Sequence, residues 1–367
     1  MSEGLGGITA VGVKELRGRM RGRRAFVILT VYLLLLGAFA WMTELTLEKQ
    51  YANILSGTAA FASAQIGQGI FIALMMLETL LVVALAPAFT AGAISQEREK
   101  QTLDLLAATP ISSLAIVVGK LFSALTYLFI LVVASIPLTA VVFVYGGVSP
   151  DDAIRGYLVV LTTALGAGAV GLFFSALLKR TAAATILSYF AIGAVTLGSY
   201  YLISFWITMT GGGGVFTTGI GPIQGRPPEA LAYLNPYYAQ SDVMCGVQNG
   251  FGEWCTNVAL VTDNSLPGGT TTNIDGTAPG AGGGVGVAPD PGVVGDFKPM
   301  PVPGPPVARA DVEVPAFGVV RDTFWPKSAV SWLVVAVTLT LASVQLVSPT
   351  RRLRLPGSFR TTSRSNT

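Results

Sequence analysis

Six apolar runs constrain this chain more than anything else in it. Residues 25–43, 70–94, 121–146, 154–178, 182–209 and 328–347 each approach or exceed the roughly 20 residues that an α-helix needs to cross a hydrocarbon core of about 30 Å. Backbone exposed to lipid must pair its own N–H and C=O groups, so such runs read as helices. The fold class expected is an all-α membrane protein with six transmembrane helices. Composition agrees: hydrophobic residues make up 51% of the 367 and charged residues 12%, with mean hydropathy +0.62, whereas a soluble domain carries about 25% charged residues.

An even number of spans places both termini on one side, and Lys and Arg choose the side, because they accumulate on cytoplasmic flanks. Lys14, Arg17, Arg19, Arg21, Arg23 and Arg24 precede the first span. Arg98, Lys100 and Lys120 lie between the second and third, Lys179 and Arg180 between the fourth and fifth, and Arg351, Arg352, Arg354, Arg360 and Arg364 follow the last. These are most of the 23 basic residues, and the short loops of the other face carry only Lys49 and Arg155. Both termini are therefore expected in the cytoplasm and the protein in the cytoplasmic membrane.

The regions then follow. Residues 1–24 form a basic cytoplasmic segment in which Lys14, Glu15, Leu16, Arg17, Met20 and Arg21 suggest an amphipathic helix on the inner membrane surface. Residues 25–209 hold spans one to five, 327–348 the sixth, and 349–367 a basic cytoplasmic tail. The first span has a second reading, a cleavable signal peptide ending near Ala38, Phe39 and Ala40; its long basic region and spanning length argue for a retained helix. Between spans five and six, residues 210–326 read as a long external loop, partly disordered, with Gly-rich 280–286 and Pro-rich 299–306 as low-complexity tracts. Residues 229–244 are dense enough in apolar and aromatic side chains to form short helices at the outer surface.

The polar insert 95–110 lies between spans two and three and so beside the membrane. Glu97, Arg98, Glu99, Lys100 and Asp104 form a charged turn, with Leu103, Leu106 and Ala107 following at helical spacing. Pro110 disfavours continuation, and Ser112 or Ser113 is placed to cap the next helix. The expected element is a short amphipathic cytoplasmic helix, then a break, then a span.

Chemistry is scarce. Histidine is absent, which removes His-based triads, metal sites and proton relays together. The phosphate-binding pattern G-x-x-x-x-G-K-[ST] does not occur: Gly119-Lys120 is followed by Leu121, and no strand precedes Gly211–Gly214. No enzyme activity and no bound cofactor are expected of the chain itself, and a net charge of +3 held near the membrane does not suggest nucleic acid. Glu78 is the one acidic residue well inside an apolar run; it is either part of a functional pathway or interface, or a hydrogen-bonded Glu between helices. Lys120 is expected to extend its ammonium to the inner interface by snorkelling. Pro87 and Pro137 interrupt helical bonding inside spans, as hinges or as fixed bends. Gly166, Gly168 and Gly171 give the fourth span a small face, for packing within the chain or for a dimer seam. Cys245 and Cys255, the only two cysteines, fall on the external face, where a disulfide is permitted; two unpaired thiols are the other reading.

With these residues in hand, the chain resembles a membrane permease subunit of the ABC-2 (type-II exporter-like) transporter family. The resemblance rests on the basic segment 14–24, the loop 96–106 through Thr109-Pro110 and Gly119-Lys120, the six-span layout, and Leu234-Asn235-Pro236-Tyr237-Tyr238 before the last span. It covers 14–180 well, and the tract 246–322 departs from the family's shorter external region. The resemblance implies that the insert is a coupling helix received by a separate ATP-binding ATPase subunit. Glu97, Arg98, Glu99, Lys100 and Thr102 would contact that subunit, Leu103 and Leu106 would anchor the helix, and a second permease copy or a paralogue would complete a dimer in the lipid bilayer. The function expected is ATP-driven transport, outward, of a substrate the sequence does not name. Two other classes stand beside it. A membrane scaffold would use the insert only to solvate a helix end, and an ion-driven secondary transporter would call for more intramembrane ionisable groups than Glu78.

Overall fold

The computed structural model describes residues 23–54, 59–101, 113–209, 227–247, 258, 261–262 and 324–347. Among them are the helices α1 (Arg23–Ile54), α2 (Ala59–Thr90), α3 (Ser95–Glu99), α4 (Ser113–Ala140), α5 (Val142–Tyr145), α6 (Pro150–Leu177), α7 (Thr181–Met209), α8 (Pro236–Val247) and α9 (Trp325–Val347), with a 3-10 turn at Glu229–Ala232 and no strand among the described residues. Six stretches are long and apolar enough to span a bilayer: Phe26–Tyr51, Ala62–Glu99, Ser113–Tyr145, Pro150–Leu177, Thr181–Met209 and Trp325–Val347. The expected interfacial helix before residue 23 lies outside the described residues.

The helices outrun their apolar cores. Helix α1 continues past residue 43 to Ile54, through Glu44, Leu45, Leu47, Glu48, Lys49 and Gln50, all good helix formers. The start of this extension is fastened: the Tyr145 hydroxyl donates to Glu44. Beside it, Ser63 Oγ donates to the Tyr145 carbonyl at 2.8 Å and Gln68 Nε2 to the Gly147 carbonyl at 3.0 Å. Gly147 has φ +80° and lies against the Ala64 backbone, a left-handed position at close quarters that favours glycine. Two residues on, Ser149 caps α6 through a reciprocal box with Asp152, and Pro150 opens the helix.

Helix α6 is the most enclosed span, packed by α9, α2, α7, α8 and α4. Its small residues make this possible. A Cβ at Gly166 would overlap the Trp332 ring of α9, one at Gly168 would lie 2.7 Å from Leu125 of α4, and one at Gly171 would overlap Thr90 Oγ1 and sit 3.1 Å from Pro87 Cα of α2. Of the two readings of this stripe, packing within the chain is the one the structure realises. Opposite faces are apolar and exposed, among them Phe26 and Leu34 on α1, Phe190 and Phe205 on α7, and Val334 and Val337 on α9, as lipid contact requires. The first span buries Tyr32 and Leu36 in the bundle and is an integral part of it.

Candidate functional site

The described part of the polar insert is α3 and its flanks. Helix α2 ends at Thr90 and the backbone turns through 91–94 into α3. Gln101 then takes φ +56°, a left-handed conformation of the kind that ends helices. Thr102, Leu103 and Leu106 lie outside the described residues, as does Ser112; α4 resumes at Ser113.

This elbow is bonded to three helices. Ser175 Oγ of α6 accepts from the amides of Ile94 at 2.9 Å and Ser95 at 3.0 Å, so α6 supplies the partner that the first turn of α3 lacks locally. Lys120 Nζ of α4 donates to Glu97 Oε1 at 2.6 Å and to the Ala93 carbonyl at 2.9 Å, with only 2% of the lysine exposed. Glu99 accepts from the Thr181 amide at 2.7 Å and its hydroxyl at 3.1 Å, placing a carboxylate on the positive end of α7. The snorkelling expected of Lys120 is therefore corrected. Its ammonium is held inside the chain, because the elbow folds back over the start of α4 and sets a carboxylate and a carbonyl of the turn within reach.

The sequence-predicted residues divide by environment. Glu97 and Glu99 have partners within the chain. Gln96, Glu99 and Lys100 are exposed and Arg98 is half-buried. Ser175, Lys120 and Thr181 complete the elbow. Sequence reasoning did not assign them there, and no periodicity links Glu97 to a residue 23 positions later.

Glu78 sits in a second polar cluster, 1% exposed. Its Oε1 accepts from Ser135 Oγ of α4 at 2.7 Å and from the Tyr32 hydroxyl of α1 at 3.4 Å. The Tyr157 hydroxyl of α6 lies 3.1 Å from Ser135 Oγ and 2.7 Å from Thr139 Oγ1. Four spans thus share one network, in keeping with the reading of Glu78 as a hydrogen-bonded residue between helices.

At the opposite end of the bundle, the expected short helices are present as the 3-10 turn and α8. Asn235 caps α8 by accepting from the Tyr237 amide at 3.0 Å, while its Nδ2 donates to the Thr196 carbonyl at 3.0 Å and Ser199 Oγ at 2.9 Å of α7. Asp242 Oδ2 accepts from the amides of Phe324 at 3.1 Å and Trp325 at 2.9 Å, capping α9 from α8. Lys327 pairs with Glu229 at 2.8 Å. Cys245 is disulfide-bonded, and Cys255 lies outside the described residues.

A family model described as ABC-2 family transporter protein matches residues 9–239, more than half of the chain. The chain belongs to the ABC-2 transporter family. It is a multi-pass membrane protein and a permease of an ABC transporter; such permeases are membrane subunits, generally not catalytic themselves. The matched region runs from before α1 into α8 and so contains the elbow, the Glu78 cluster and the Asn235 cap, while α9 lies beyond it. No curated protein matches the permease.

Proposed function

We propose that this permease sits in the cytoplasmic membrane with both termini in the cytoplasm and exports a substrate when residues 95–110 dock on a separate ATPase subunit, which binds the ATP. The chain itself needs no cofactor. Its other partner is a second copy or a paralogue, so that two six-span bundles enclose a path between them. The observation that carries this reading is the elbow: a charged helix at the end of two spans, hydrogen-bonded to α4, α6 and α7. A docking helix can drive a bundle only if it is fixed to it, and only if its partner grips it differently in two states.

Because Glu97 and Glu99 are engaged within the chain, the exposed Lys100 and the half-buried Arg98 are the cleanest charges to test, with Thr102, Leu103 and Leu106 as the further contacts of the docking element. The tagged permease, extracted from its native membrane in mild detergent, should bring down a nucleotide-binding subunit identifiable by mass. Arg98→Glu with Lys100→Glu should remove that subunit while leaving insertion and yield unchanged. Undiminished association in the variant would refute docking through this element, and no ATPase with the wild type would return the scaffold and secondary-transporter readings.

A further inference from the structure

Lys120 is a cation enclosed at the membrane end of a helix where an apolar residue would suffice for packing. Its ammonium touches the carbonyl of Ala93, in the turn between α2 and α3, and the carboxylate of Glu97, on α3. Lys120 is buried and Glu97 half-buried; the attraction in such a pair is largely offset by desolvation, so it contributes weakly to stability and is best attested where it fixes one register among several. Its directional bonds weaken steeply when misaligned, whereas apolar side chains slide over one another.

We propose that Lys120 is a positioning residue that locks α4 to the elbow, so that a displacement of α3 is passed to the cytoplasmic end of α4 and not absorbed between them. The inference rests on the ATPase-docking reading above. Ser175 and Glu99 tie the same elbow to α6 and α7, through a buried neutral hydroxyl that accepts two amides and through an exposed cap, and neither reaches α4. Among the described residues, Lys120 is the buried side chain that joins the turn 91–94, α3 and α4. Glu97 is then an internal strut of the coupling device, and its substitution perturbs transmission even where association survives.

The test is made on the permease purified with its ATPase subunit. Spin-label pairs are placed at Gln96 and Leu341, to follow the elbow against α9, and at Phe122 and Leu341, to follow α4; all three side chains are exposed. Distances are measured without nucleotide and with ATP plus vanadate. In the wild type both pairs should shift. In Lys120→Met the ATPase should remain bound and the Gln96 pair should still shift, while the shift of the Phe122 pair is lost. Lys120→Arg should keep it, and the exchange Glu97→Lys with Lys120→Glu should restore it, which a contact of Glu97 with the ATPase would not do. A Phe122 shift of wild-type size in Lys120→Met overturns the proposal. So does failure of both Lys120→Arg and the exchange to carry the shift, or loss of the ATPase from Lys120→Met. A wild type in which neither pair responds to nucleotide instead overturns the docking reading itself.

Discussion

Asp242 offers the sharpest test of how the loop end of the bundle is held. Helix α9 begins at Trp325, and Pro326 has no N–H to offer, so the amides of Phe324 and Trp325 are the first donors needing a partner. Both are given to one fully buried carboxylate oxygen, at 3.1 and 2.9 Å. Hydrogen bonds to a charged group contribute about 1.5–3 kcal/mol each, and a negative charge at a helix N-terminus adds about 0.3–1 kcal/mol. Two bonds at the low end of that range put Asp242→Ala at about 3 kcal/mol of lost stability. Asp242→Asn keeps an acceptor oxygen but gives up the charge, and should cost about half as much. Asp151, an exposed carboxylate in the first turn of α6, is the control, and Asp151→Ala should cost no more than about 1 kcal/mol. Unfolding of the purified permease in mixed micelles by denaturing detergent, followed by tryptophan fluorescence, measures all three. An Asp242→Ala protein as stable as the Asp151→Ala protein would refute the claim that this carboxylate anchors α9.

The glycine stripe and the tract between α8 and α9 give two further outcomes. Gly171→Ala places a methyl against Thr90 Oγ1 and the Pro87 backbone and should cost about 1–3 kcal/mol, whereas Gly198→Ala on α7 meets nothing within 4 Å and should gain up to about 1 kcal/mol of helix propensity; the same unfolding titration separates them, and equal effects would refute the packing account. Replacing residues 266–318 with a short Gly/Ser linker should leave the unfolding midpoint unchanged within error. Asp242 already brings the α8 side and the α9 start together, and closure entropy changes only slowly with the length of the connecting chain.

The spans, their order and the place of the elbow were legible because hydropathy is a local property. Where a helix left its apolar core the signal stopped: residues 44–54 of α1 are polar enough to read as loop, yet good helix formers anchored by Tyr145 and packed against α2 keep the helix going. Small residues announced that something approaches the fourth span, but not what; Trp332, Leu125 and Thr90 come from three different helices. The ties within the site were out of reach for the same reason. Asp242 and Phe324 lie 82 positions apart, and a lysine at a helix end reads as snorkelling unless the fold-back that delivers Glu97 and Ala93 is known.

Those ties matter more here than in a soluble protein. Within a bilayer, burying apolar surface between helices gains little over leaving it in lipid, so close packing and polar contacts set how spans sit against one another. Among the described residues, polar contacts between elements gather at the elbow, at the Glu78 cluster, and at the far end of the bundle, where the Asn235 and Asp242 caps and the bonds of Glu44, Ser63 and Gln68 to 145–147 lie. Helix α4 joins the first two. It carries Lys120 at the elbow and Ser135 within the Glu78 cluster, about 22 Å apart along an α-helix. Pro137 stands between Ser135 and Thr139, both of which meet Tyr157 of α6. Between those two levels the buried side of α4 is chiefly apolar, with Leu125, Leu128, Leu131 and Val132. It is a straight run of packing between two directional anchors. On the docking proposal, a push delivered at Lys120 would meet its next directional resistance where α1, α2, α4 and α6 share one network, beside the proline that already removes a helical hydrogen bond. That is the level at which motion of α4 would be converted into a change of angle between spans.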